Sequence, residues 1–201
     1  MAAGMAPVPL LRRLTPADAE RYRAIRLEGL RDHPDAFGAA LAEEAGRPCP
    51  WFAARLERDA VFGGWLDGPE LAGVAGLAVP DAAKLRHKGV LWGAFVRPEA
   101  RGSGLATALV RQVIGAASRT VEELRLTVAA SNAAAIRVYA RCGFRAYGVE
   151  PRALKIGDRY HDEVLMALRL RDPDRVRGAG RRWPVDADRP EPWSCPGADR
   201  P

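Results

Sequence analysis

An apolar run, Val90-Leu91-Trp92-Gly93-Ala94-Phe95-Val96, breaks at Pro98, passes through Gly102 and Gly104, and continues as a helical pattern. Leu105, Leu109, Val113 and Ala116 share one face of it. A strand that feeds through a glycine turn into an amphipathic helix commits the chain to helix-on-sheet packing. The turn leaves several backbone N–H groups unpaired at the positive end of the helix dipole. Proteins hold a pyrophosphate in this way. Gly102 and Gly104 carry no Cβ, so the backbone can come close to the phosphates. No Lys-Ser/Thr follows the glycines, which excludes a Walker loop. The third glycine and the acidic residue of the dinucleotide fingerprint are also missing.

The turn, Arg101-x-x-Gly104-x-Ala106, resembles the acyl-CoA signature Gln/Arg-x-x-Gly-x-Gly/Ala of the GNAT superfamily of N-acetyltransferases. Downstream, Asn132-Ala133-Ala134-Ala135-Ile136-Arg137-Val138-Tyr139-Ala140-Arg141-Cys142-Gly143-Phe144 is similar to its other hallmark, Asn-x-x-Ala-x-x-x-Tyr-x-x-x-Gly-Phe. The two stand in the expected order with a strand-like segment, Leu124 to Ala129, between them, and the resemblance covers residues 8 to 170. It implies an α/β (α+β) fold with a central mixed, mostly antiparallel sheet. About seven strands and about four flanking helices are expected, with a V-shaped splay between strands four and five.

The resemblance also implies a function: an N-acetyltransferase moving the acetyl group of acetyl-CoA to a primary amine by direct attack in a ternary complex. Residue by residue, the backbone of Phe95 and Val96 would bond pantetheine, and Arg101, Gly102, Ser103, Gly104, Leu105 and Ala106 would take the pyrophosphate. Arg101 has two readings: a guanidinium on a phosphate, or a solvated turn residue whose amide alone matters. Asn132 is both a good helix N-cap and the position that contacts pantetheine in relatives. Tyr139 would position the cofactor and act as general acid toward the departing thiolate. Its plain alternative is to pack the helix onto the sheet beside Ile136.

The base for the amine is harder to place. Many members carry a glutamate on the fourth strand, but Val90 to Val96 holds no carboxylate. Glu150 is the candidate, as base, as acceptor anchor, or as a strand-end carboxylate paired with Arg152; Glu43, His87 and Asp162 are lesser ones. Glu43, Glu44 and Glu150 together favour a cationic acceptor, a small-molecule or peptide amine.

A chain of 201 residues with 48% hydrophobic content suits one domain with a real core. Residues 1–170 are expected to form it, and the Pro/Arg-rich segment 171–201 to be a disordered tail on which Trp183 and Trp193 stand out. Cys49, Cys142 and Cys195 lack metal-ligand spacing and read as reduced thiols of a cytoplasmic protein, with no metal site. No segment resembles a signal peptide or approaches the roughly 18 apolar residues of a membrane span. The formal charge of +6 is scattered among acids without an aromatic-basic repeat, which argues against nucleic acid as partner. A monomer and a homodimer are both compatible with the chain. A noncatalytic module that binds acyl-CoA and reports its level is the competing reading of function.

Periodicity and turn signals predict strands at Val8 to Leu14, Ala60 to Leu66, Glu70 to Val79, Lys88 to Val96 and Leu124 to Ala129, with a final hairpin of Arg145 to Lys155 and Tyr160 to Leu170. Helices are predicted at Asp18 to Asp32, Pro50 to Arg58, Ser103 to Ala117 and from Asn132 to Cys142, with residues 33 to 49 as a connection.

Overall fold

In the computed structural model, which describes residues 9–66 and 68–171, the apolar runs become seven strands. They are β1 (Leu10–Arg13), β2 (Ala60–Trp65), β3 (Gly73–Ala78), β4 (Lys88–Val96), β5 (Glu123–Ala129), β6 (Arg145–Ile156) and β7 (Arg159–Arg169). One sheet holds them in the order β1-β2-β3-β4-β5-β7-β6. The β4–β5 pair is parallel and the other neighbours are antiparallel.

Helices cover both faces. On one lie α1 (Ala19–Asp32), the single turn α2 (Leu41–Glu44) and α3 (Cys49–Arg58). Tyr22, Ile25, Phe52 and Leu56 of α1 and α3 pack there on Val61, Val74 and Phe95. On the other lie α4 (Leu105–Ala117) and α5 (Ala133–Arg141), where Leu105, Leu109, Val113 and Tyr139 pack on Leu91, Leu124, Leu126 and Met166. The expected mixed sheet and its flanking helices are therefore present.

Two features depart from the sequence reading. Glu70 to Ala72 stays outside β3, held as a loop by Gly68 at φ 81° and by the Ala72 N–H bonding Gly64 O. Within the expected connection, Leu41–Glu44 forms α2 for two reasons. Glu43 Oε2 accepts the Ala40 N–H at 3.0 Å, the reciprocal half of a capping box that ties the helix start to the residue before it. Glu44 is drawn into the core by Arg26 and Arg55. Residues 1–8 and 172–201 lie outside the described residues, and with them Val8, Cys195 and nearly all of the expected tail. Among the described residues no helix is long and apolar enough to cross a membrane.

Two buried carboxylates tie this fold to pH. Asp18 accepts both Arg12 nitrogens, at 2.6 and 2.7 Å, and these bonds hold it well below the usual carboxylate range against the opposing effect of burial. Burial pushes Glu44 up, but hydrogen bonds and charge from Arg26 and Arg55 outweigh it and leave the group lowered. A carboxylate lowered by folding contributes stability above its unfolded value, near roughly 4, and loses it as pH falls toward the folded value. Thermal stability is therefore expected to be level from neutral pH to about 5 and to fall steeply below about 4. Glu44→Gln should lower stability at neutral pH and make the fall below about pH 4 smaller, which melting curves across pH would show.

Candidate active site

Parallel pairing of β4 with β5 runs only from Lys88–Glu123 to Val90–Arg125. Beyond Val90 the two strands part, and the gap opens the V expected between strands four and five. A cavity of about 710 Å³ fills it, lined by Ala94, Phe95 and Val96 of β4, Ala129 of β5, the first turn of α4, and α5. Backbone on both arms of the V thus lacks a neighbouring strand, and an extended ligand can take its place.

The floor at one end is the glycine turn. Gly102 and Gly104 have φ 82° and 85°, a left-handed conformation that favours glycine, and Gly104 is the N-cap of α4. A Cβ built on either would meet nothing within 4 Å, so the space over the turn is open. Ser103 turns its side chain inward: Oγ donates to Ala100 O at 2.7 Å and accepts the Leu105 N–H at 3.3 Å, bracing the turn from behind. Leu105 is fully buried, anchoring the helix start, and it and Ala106 both line the cavity. Amides in this first turn have no intrahelical acceptor.

Arg101, exposed and lining the cavity, makes two contacts that neither reading of it includes. Its Nε donates to Val96 O at 3.3 Å and its Nη2 lies 2.9 Å from His33 Nε2. Since a guanidinium only donates, His33 Nε2 is the acceptor. The arginine thus clips the end of α1 to the end of β4 while still lining the cavity. Two further arginines line this cavity, Arg137 and Arg141, one turn apart on α5. Neither has an ion pair or hydrogen bond among the described residues.

Asn132 caps α5, its Oδ1 accepting the Ala135 N–H at 3.0 Å, and also lines the cavity, so its two expected roles coexist. Tyr139 is 8% exposed and lines the cavity, with its ring edge-on to Phe144 at 5.9 Å. No group among the described residues bonds its hydroxyl. Burial, with a smaller effect of Cys142, pushes the phenol up to about 12.

Other expected residues stand apart. Glu150 is exposed, does not line the cavity, and makes no ion pair with Arg152 among the described residues. Arg152, at φ 57°, stacks on Tyr160 at 3.8 Å, and its N–H is held by Asp162 Oδ1 at 2.8 Å, so Asp162 fastens a bulge in β6. Glu43 is the cap described above, and His87 is exposed at the far end of β4. Glu44 is locked between two arginines and cannot attract a cationic acceptor.

Strand register exposes two residues that the sequence reading passed over. Ala129 pairs with Glu163, which pairs with Glu150, so the carboxylates stand one and two strands from the cavity wall. Directly paired residues share a face. Theirs is the face away from Leu126 and Val128, hence away from α4 and α5. The second residue is Gly93. Between Val74–Phe95 and Gly76–Trp92, β4 carries one residue more than β3, a bulge in which Gly93 has φ 62°. An isolated glycine inside a strand pattern is the signal for it. The bulge interrupts the β3–β4 ladder one residue before Ala94, which lines the cavity.

Residues 22–144 match the family model of the acetyltransferase (GNAT) family. Among solved structures, the acetyltransferase of GNAT family from Streptococcus pneumoniae is 22% identical with a TM-score of 0.72, covering 81% of this chain and 99% of its own. The structure of yncA from Salmonella typhimurium with its cofactor acetyl-CoA is 21% identical at a TM-score of 0.69, covering 82% and 95%. A GNAT superfamily phosphinothricin acetyltransferase from Sinorhizobium meliloti, in complex with AcCoA, is 18% identical at a TM-score of 0.68, covering 82% and 89%. These likenesses show the same fold. The family model, spanning more than half of the sequence, shows that the chain belongs to the GNAT family of acetyltransferases.

Proposed function

We propose that the protein transfers the acetyl group of acetyl-CoA to a primary amine by direct attack in a ternary complex within the β4–β5 splay. The observation that carries this reading is the pair of left-handed glycines, Gly102 and Gly104, whose open side faces a cavity continuous with the splay. The cradle suits a pyrophosphate, and the parted strands suit the pantetheine arm. Bound acetyl-CoA supplies an activated thioester; the rest is done by the chain.

The amides at the start of α4 hold phosphate oxygens by hydrogen bonds and dipole. Phe95 and Val96 offer backbone groups to pantetheine, and Asn132 stands opposite on α5. The bulge at Gly93 frees backbone donors near the position where carbonyl oxygen gains negative charge. Tyr139 donates a hydrogen bond to the departing sulfur. With its phenol near 12, full proton transfer to a thiolate near roughly 8.5 is uphill, so its main work is to stabilise the anion. Asp35 lines the cavity, and Glu163, backed by Glu150, stands one strand from the β5 arm, where two opposed carboxylates repel until a cation relieves them. Water or Glu163 takes a proton from the acceptor's ammonium, and the neutral amine so formed attacks the thioester carbonyl.

Arg137 and Arg141 extend the cationic lining, and like charges one turn apart are unfavourable without an anion between them. The double variant Arg137→Ala/Arg141→Ala is expected to weaken acetyl-CoA binding roughly 10-fold at low salt and to flatten its salt dependence. Calorimetry at two ionic strengths tests this. Undiminished affinity with an unchanged salt slope would remove α5 from the phosphate site. Acetyl-CoA failing to bind wild type at millimolar concentration would remove the functional reading itself.

A further inference from the structure

The α1–α3 face holds a polar group buried beneath β4 that the transfer step does not use. Arg26 of α1 is 6% exposed and grips Glu44 with two bonds, Nε to Oε2 at 3.0 Å and Nη2 to Oε1 at 2.9 Å. Arg55 of α3 donates to the same Oε1 at 3.0 Å. Two guanidiniums therefore share one carboxylate. A further buried donor, the Trp92 indole N–H, has no partner, and the Tyr22 hydroxyl beside them can accept from Arg55. Both guanidiniums are close to the Trp92 ring, Arg26 at 5.9 Å and Arg55 at 5.5 Å. Donors exceed acceptors here and positive charge exceeds negative, a costly arrangement unless something anionic completes it.

The surplus has a direction. Arg26 commits Nε and Nη2 to Glu44, so the clamp fixes the guanidinium plane and leaves Nη1 free of hydrogen bonds among the described residues. A Cβ built on Gly93 would lie 3.6 Å from that Nη1 and meet nothing else within 4 Å. The uncommitted nitrogen thus stands over the side-chain position that Gly93 leaves empty at the β4 bulge, one residue from Ala94 of the cavity wall, with the guanidinium 5.0 Å from the ring of Phe37, another wall residue. Glycine at a bulge is where a ligand can approach a strand closely.

Resting on the acetyl-transfer reading, we propose that this pocket receives a carboxylate carried by the acceptor, which makes the acceptor an amino-acid-like amine rather than a polyamine. The carboxylate lies over Gly93 on Arg26 Nη1, and brings the negative charge the two arginines lack. An ordered water would supply lone pairs but not the charge. The acidic pair Glu163–Glu150 beside the other arm of the V complements it at the ammonium end of a zwitterion. This reverses the lean toward a purely cationic acceptor, because Glu44 belongs to the arginines.

The test uses matched probes: common L-α-amino acids and their α-carboxamides, with thiol release from acetyl-CoA as the readout. Wild type is expected to prefer acids over amides in kcat/KM by roughly 10- to 100-fold. Arg26→Gln leaves Arg55 and Glu44 as a matched pair, and should erase that preference while acetyl-CoA affinity stays the same. Wild type preferring the amides, or Arg26→Gln keeping the preference, would overturn the proposal. A second measurement stands apart from turnover: melting of the CoA-saturated protein with acid or amide added. Acids should raise the melting temperature in wild type and not in Arg26→Gln. If acids fail to stabilise wild type, the pocket holds only water. If they stabilise it but no amine releases thiol, the carboxylate site stands and the transfer reading fails.

Discussion

Gly104→Val is expected to abolish acyl-CoA binding, a loss of more than about 100-fold in affinity, while the domain stays folded. Gly104 sits at φ 85° with open space where a side chain would project, and that space is the mouth of the cradle. Valine there places two methyl groups where the pyrophosphate must lie. It also strains the backbone, by roughly 1–3 kcal/mol for a residue held in a sparsely populated region, less than the usual stability of a domain. Gly157→Val separates strain from blockage. Gly157 has φ 57° and equally open surroundings but stands at the tip of the β6–β7 hairpin, outside the cavity lining. Both variants should melt earlier, and only Gly104→Val should lose binding by calorimetry. Equal affinities in the two would show that no phosphate lies on the turn.

Tyr139→Phe is expected to lower kcat roughly 10- to 100-fold with little change in acetyl-CoA affinity, the size of a lost hydrogen bond to a charged partner. The phenylalanine keeps the edge-on contact with Phe144, so stability should barely change. The pH profile carries the sharper prediction. A phenol near its ordinary value would give activity a falling alkaline limb, but burial pushes Tyr139 up to about 12. Raised in this way it stays protonated throughout the working range, so wild type and variant should have parallel profiles up to about pH 10. A limb near 10 in wild type that vanishes in Tyr139→Phe would show full proton transfer from a much less perturbed phenol. A near-normal kcat in the variant would reduce Tyr139 to a packing residue.

Local chemistry made much of this molecule legible before any contact was known. The strand–glycine turn–helix unit, the Asn132 cap and the final hairpin each depend on residues within a few positions, and each formed. What stayed hidden depends on distant partners. Leu41–Glu44 carries no helical signal strong enough to stand alone; its order comes from Arg26 and Arg55, on two other helices. Arg101 seemed to choose between phosphate and solvent, but His33 lies 68 positions away in the chain and only folding brings them together. Sequence alone points to Glu150 rather than Glu163, because which carboxylate lies nearer the cavity is set by the register of β5, β7 and β6. Gly93 is legible in the sequence: a lone glycine in an apolar strand marks a bulge or a close approach, and here it marks the bulge.

Release of free thiol from acetyl-CoA by wild-type protein, across a broad panel of primary amines, tests the central claim most directly. At least one amine is expected to raise the rate well above the amine-free background, with Gly104→Val returning it to background and Gly157→Val leaving it largely intact. Acetyl-CoA bound tightly at the Gly102–Gly104 turn, with no amine in the panel raising thiol release, would contradict the account and leave a module that binds the cofactor without turning it over.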